Sequence, residues 1–252
     1  MNKTKREILK IGIFDSGMGG ISMLNEMNLL FRGAHFYYYG DIANSPYGKK
    51  SKEEIVNLTK IACDFFLEKK VKAILLACNT ATSASVKLLR EIYPIKIFGM
   101  EPAIKPAIKE NPGEKIAILA TQFTISEEKF LELGKSLNAS DHLIPFPCEG
   151  LAAMIDRRDF DGVKKFLKPI LFEIEKDATA IVLGCTHYVL IKDIFTELAP
   201  KLKIYDGNKG TAFHILNSME KTADEKKENT IEVYLNGGAE KDYEILKFFL
   251  NC

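Results

Sequence analysis

Short apolar runs and longer stretches of helical periodicity alternate along the whole chain. The runs at 10–14, 35–40, 73–77, 96–99, 116–120, 142–146, 180–184, 203–205 and 231–235 are bounded by turn-forming residues and predict strands. Between them, 51–68, 81–92, 126–137, 159–175 and 211–219 carry apolar residues at helical spacing and predict helices. Strands alternating with helices build βαβ units, so the fold class is α/β with parallel sheets. In open sheets of this kind ligands bind beyond the carboxyl ends of the strands.

The pattern also repeats. Lys10-Ile11-Gly12-Ile13-Phe14-Asp15 opens the first half, and Lys115-Ile116-Ala117-Ile118-Leu119-Ala120-Thr121 opens the second. Asp15 and Cys78 are separated by nearly the same length of chain as Thr121 and Cys185. The expectation is two similar doubly wound domains related by a pseudo-two-fold axis, with the active site in the cleft between them. The first would comprise 1–99 plus 210–252, and the second 100–209. The boundary at 99–106 holds Pro102 and Pro106, which are expected to interrupt any helix there. The stretch 201–210 is expected to return the chain to the first domain. The charged tract 221–229 reads as a solvated loop.

The candidate chemistry sits where apolar runs end. Cys78 follows Ile74-Leu75-Leu76-Ala77 and precedes Asn79-Thr80; Cys185 follows Ile181-Val182-Leu183-Gly184 and precedes Thr186-His187. Each reads as a buried strand delivering a thiol into a strand-to-helix turn, where a helix N-terminus lowers a thiol pKa. Removing the α-proton of an amino acid needs a base on one face, and inversion needs an acid on the other. Two thiols on equivalent turns suit that task. Asp15 and His187 would be auxiliary groups, one beside each cysteine. Phe14-Asp15-Ser16-Gly17-Met18-Gly19-Gly20 has neither GxGxxG spacing nor a Walker lysine, so it fits a nucleotide poorly. Pro46 and Gly48 bracket a turn that would hold Tyr47 at a strand end.

Composition narrows the classes. At 46% hydrophobic and 27% charged, the chain has ample material for a core. A formal net charge of +1 offers no excess to neutralise phosphates, which argues against nucleic-acid binding. No apolar run approaches a membrane span, and no signal-like apolar segment follows the polar start, so the expected compartment is the cytoplasm. Five cysteines, with no CxxC and no zinc-ligand spacing, point to neither a disulfide framework nor a metal site. Cys63 reads as a buried hydrophobe, while Cys148 and Cys252 carry no chemical pattern. No Schiff-base lysine or phosphate site for pyridoxal phosphate is evident, so no cofactor is expected.

Four segments in register resemble the glutamate racemase family, the cofactor-independent enzymes of the Asp/Glu racemase superfamily. They are Phe14 to Gly20, Tyr39-Gly40-Asp41 with Pro46-Tyr47-Gly48, Ala77-Cys78-Asn79-Thr80-Ala81, and Leu183-Gly184-Cys185-Thr186-His187-Tyr188. The resemblance implies two α/β domains around one site and interconversion of L- and D-glutamate, supplying D-glutamate to bacterial peptidoglycan. It implies Cys78 and Cys185 as proton donor/acceptors. It implies Asp15, Ser16, Tyr47, Gly48, Asn79, Thr80, Thr186 and His187 at the substrate, with Thr121 and Thr124 as further contacts, and a homodimer as one possible assembly. The chain departs from the family pattern at Ile42, Ala120, Val189 and Asn236-Gly237-Gly238. Asp156 falls where many members carry a glutamate, with Glu149 a competing placement. Two other readings remain open. One is a racemase of aspartate or another small acidic amino acid; the other is an amino-acid-binding or thiol-redox regulatory protein that kept the fold without catalysis.

Overall fold

The computed structural model describes residues 8–126, 140–219, 227–237 and 240–250. Among the described residues nine strands alternate with helices: β1 (Lys10–Asp15), β2 (His35–Gly40), β3 (Ala73–Leu76), β4 (Lys96–Gly99), β5 (Lys115–Ala120), β6 (Leu143–Pro147), β7 (Ala178–Leu183), β8 (Lys203–Asp206) and β9 (Thr230–Leu235). They form two sheets, ordered β4-β3-β1-β2-β9 and β6-β5-β7-β8, and every pairing is parallel.

The repeat read from the sequence is visible in this order. Without β9 the first sheet runs β4-β3-β1-β2, and the second, read from its other edge, runs β8-β7-β5-β6. β1 therefore corresponds to β5, and β3 to β7. In each sheet the chain reverses its direction of travel at these two central strands, and such switch points open the crevices that take ligands. The four turns that follow β1, β3, β5 and β7 carry Asp15, Cys78, Thr121 and Cys185.

The central strands are buried on both faces. All four residues of β3 are buried, which explains its unbroken apolar run. Gly12 in β1 makes room for α2 (Lys52–Glu68): a Cβ there would stand 2.6 Å from the Phe66 ring. Burying that ring contributes roughly 2–3 kcal/mol. The start of α2 is fixed by Ser51 and Glu54, each bonded to the other's backbone N–H in a capping box.

Several boundaries differ from expectation for local reasons. α3 (Asn79–Ile92) begins two residues early because Cys78 is its N-cap, its sulfur accepting from the Ala81 N–H at 3.4 Å. Pro106 does not interrupt a helix. It is the third residue of α4 (Ile104–Glu110), where no intrahelical N–H donor is needed. The chain does not return directly over 201–210. It first completes β8 in the second sheet, and then α10 (Asn208–Ser218) packs on α1 (Ile21–Leu30) of the first. Of the predicted helix 126–137, Ser126 closes α5 (Gln122–Ser126), and the remainder lies outside the described residues. Most of 221–229 also lies outside them, as does Cys252. Asn229, though, is tied inward, accepting from the Ala34 N–H at 3.0 Å and donating to the Phe31 carbonyl at 2.9 Å. Among the described residues, no helix is long and apolar enough to cross a membrane.

The largest apolar cluster joins the two sheets. Ile13 and Met23 from the first half pack in one continuous core with Leu119, Ile181 and Tyr188 from the second.

Candidate functional site

Two turns bring sulfur to the facing ends of the sheets. Cys78 lies two residues beyond β3, and Cys185 lies two residues beyond β7 as N-cap of α8 (Thr186–Val189). Each is almost covered, at 6% and 8% exposure, so neither is a surface thiol. Cys63 and Cys148 are also buried, and all four described cysteines are free.

The Cys78 sulfur lies 3.2 Å from Ser16 Oγ and accepts from the Ala81 N–H. Its thiol is pushed up to about 12, by burial first and then by the charge of Asp15, while the Ser16 and Ala81 bonds pull the other way. The lowering expected at a helix start is therefore outweighed by desolvation.

Around Cys185 the charge is of the opposite sign. His187 Nδ1 is 3.9 Å from the Cys185 sulfur, and His187 Nε2 is 2.9 Å from Asp156 Oδ1. The second contact is one of charge, without an aligned hydrogen bond. Burial disfavours the imidazolium, but Asp156 and Cys185 outweigh it, and His187 titrates well above its ordinary value. Asp156 ends α6 (Leu151–Asp156) and is the acid that reaches the site; Glu149 is exposed. Room for the imidazole comes from Gly19, where a Cβ would approach the His187 backbone nitrogen to 2.6 Å.

Asp15 is fully buried at the end of β1. Its carboxylate accepts from the Gly17 N–H at 2.9 Å and from the Thr186 hydroxyl at 3.0 Å. Burial raises its pKa, against the charge of His187 and these two bonds. Thr80 stands 3.1 Å from Thr121 and 3.3 Å from Thr124, which lie 3.0 Å from each other, hydroxyl to hydroxyl. This triangle links α3 to the turn after β5. Gly48 faces Thr121: a Cβ added there would stand 3.4 Å from the Thr121 side chain. Asn79 lines a crevice too tight to admit a water molecule, together with Cys185, Thr186, Glu101 and Asn208.

Sequence reasoning thus named residues that the fold gathers into one place. Tyr47 arrives differently from expectation. Its hydroxyl is turned away and donates to Asp41 Oδ2 at 2.6 Å, and burial and Asp41 together raise its pKa. Asp41 carried no assigned role in the sequence, although it directly follows a strand end. It also accepts from Asn44 at 2.9 Å and from Asn236 at 2.7 Å. Tyr38, which donates to the Gly17 carbonyl at 2.9 Å and so holds the glycine turn, was likewise unmarked. Among the described residues, no group of three His, Cys, Asp or Glu is placed to hold a metal ion.

The family model for Asp/Glu/hydantoin racemases matches residues 11–213. A glutamate racemase of Leptospira interrogans is 47% identical over 98% of this chain and 93% of its own length. The crystal structure of a glutamate racemase isoform from Bacillus anthracis superposes with a TM-score of 0.86 at 27% identity, covering 98% of this chain and 95% of that one. The glutamate racemase of Francisella tularensis, solved in complex with D-glutamate, gives 0.83 at 25% identity, over 97% of this chain and 94% of that one.

Proposed function

Belonging to the Asp/Glu/hydantoin racemase family, the chain interconverts L- and D-glutamate, and we propose that it does so by passing a proton through Cys78 on one face of the α-carbon and Cys185 on the other. The observation that carries this reading is the placement of the two sulfurs at equivalent switch points of two sheets whose four corresponding strands share one order.

In one direction a thiolate takes the α-proton and becomes a thiol, leaving a carbanion at Cα. The opposite thiol then protonates the other face and becomes the thiolate. The reverse reaction exchanges the roles. The surroundings set the resting arrangement. The His187 imidazolium lies beside Cys185 and favours negative charge there, whereas Asp15 disfavours it at Cys78. Burial and Asp15 together dispose the Cys78 thiol to rest as the acid.

Charge also orients the substrate. Asp15 and His187 are auxiliary groups, with Asp15 the carboxylate available to the ammonium. Ser16, Asn79, Thr80 and Thr186 flank the sulfurs with short polar groups suited to the α-carboxylate. The Tyr47–Gly48 turn, with Thr121 and Thr124 beside it, is left to take the side-chain carboxylate, the Tyr47 hydroxyl itself being committed to Asp41. The two catalytic halves correspond to 1–99 plus 210–252 and 100–209, a division supported by sheet membership. The proposal extends to a cytoplasmic enzyme whose product D-glutamate feeds peptidoglycan synthesis.

The test is racemisation in deuterium oxide. Both enantiomers should gain deuterium at Cα, and Cys78→Ser and Cys185→Ser should each lose racemisation by roughly 10²–10⁴-fold. Either variant working within a few fold of the parent would overturn the paired-thiol mechanism. Aspartate turned over as well as glutamate would overturn the substrate.

A further inference from the structure

The turn after β9 grips the turn after β2. The Asn236 N–H donates to the Gly40 carbonyl at 2.8 Å, and the Asn236 carbonyl accepts from the Ala43 N–H at 2.8 Å. The Asn236 side chain donates to Asp41 Oδ1 at 2.7 Å. Gly237, at φ +71°, lets the two turns approach so closely that a Cβ would stand 3.1 Å from the Ala43 Cα. Leu235 and Gly40 are register partners in the sheet, so these bonds continue the β2–β9 ladder past its end.

Asp41 is the centre of this contact. It is 2% exposed, and its oxygens are bonded by Tyr47, Asn44 and Asn236, all neutral donors. Tyr47 and Gly48 follow on the same turn, with Gly48 against Thr121. Removing a donor leaves a buried carboxylate oxygen short of a partner, which costs more than an ordinary hydrogen bond.

We infer that Asn236 is a positioning residue for the glutamate side chain, acting through Asp41 to hold the Tyr47–Gly48 turn in place. The inference rests on the reading above that this turn meets the distal carboxylate. Among the described residues, the hydrogen bonds of Asn236 go to Gly40, Asp41 and Ala43 and not to the partners of either sulfur. Its effect is on where the turn sits, not on proton transfer.

The test is steady-state kinetics with both glutamate enantiomers, with the thermal midpoint measured alongside. Asn236→Ala should raise KM five- to twenty-fold while kcat falls less than two-fold. Asn236→Thr, which keeps a hydroxyl donor, should recover most of the KM. Tyr47→Phe should raise KM too, and the double variant should be no worse than the poorer single one, because both act through one carboxylate. A parental KM in Asn236→Ala would overturn the inference. So would a loss in kcat at constant KM, or fully additive effects in the double variant. If glutamate is bound and racemised but Cys78→Ser remains active, the mechanism above fails and the KM comparison still decides the role of Asn236.

Discussion

The Thr186 hydroxyl donates to Asp15 Oδ2 at 3.0 Å, joining the turn after β7 to the turn after β1 across the cleft. Asp15 is wholly buried, and burial is the largest influence on its carboxyl, pushing the pKa up. The fold therefore gains little from the charge as such. Asp15→Asn retains the size; its amide oxygen can keep the Gly17 N–H, and the Thr186 hydroxyl can turn to accept from its amide N–H. The expected loss of stability is within about 1–2 kcal/mol. Turnover should fall at least ten-fold, because the ammonium loses its counter-charge. Chemical denaturation and kcat/KM measured together check this; a variant with parental kcat/KM would remove Asp15 from the site.

Asp156 sets a pH dependence through His187. In the folded chain His187 titrates above its ordinary 6.5. A group raised in this way contributes stability that is full below 6.5 and is lost as pH rises through the folded value. Asp156→Asn removes the main favourable charge and leaves burial, which acts in the opposite direction, with Asp15 and Cys185 as the remaining charged neighbours. The parent should lose stability above about pH 6.5, and the variant should lose less over the same interval. Its activity should also fall away at lower pH than the parent's, because the imidazolium beside Cys185 is lost sooner. Denaturation midpoints and kcat/KM from pH 5 to 9, on the scale over which histidine titrates, check both. Superimposable profiles for parent and variant would show that Asp156 does not govern His187.

These relationships divide into those the sequence carries and those it does not. Strand ends announce themselves, because an apolar run that stops at Asp15, Cys78 or Cys185 is a local pattern. The repeat was legible for the same reason, since each half encodes the same order of short buried strands. What crosses between elements was not. The Thr186–Asp15 bond spans 171 positions and the Asn236–Asp41 bond 195, and no local spacing encodes either. The thiol of Cys78 was misread in sign, because a helix start is visible in sequence and the depth of burial is not. Pro106 was misread because its place within the first turn of α4 depends on where that helix begins.

The threonine triangle is another tie between the halves. Thr80 belongs to α3, Thr121 and Thr124 to the turn after β5, and the three hydroxyls lie 3.0 to 3.3 Å apart. Each hydroxyl carries one proton, so a ring of three donors and three acceptors is fully satisfied without substrate. The two carboxylates of an entering glutamate can accept those same protons if the hydroxyls rotate. Thr80→Val removes the only member from the first half and keeps the volume. In the ligand-free protein it should cost about 1 kcal/mol, with Thr121→Val coupled to it by about 0.5–1.5 kcal/mol in a double-mutant cycle. Glutamate should then stabilise Thr80→Val less than it stabilises the parent, because one donor to the bound carboxylates is missing. Thermal midpoints with and without glutamate measure both effects. An additive cycle together with an undiminished glutamate shift would mean that the triangle neither ties the halves nor meets the substrate.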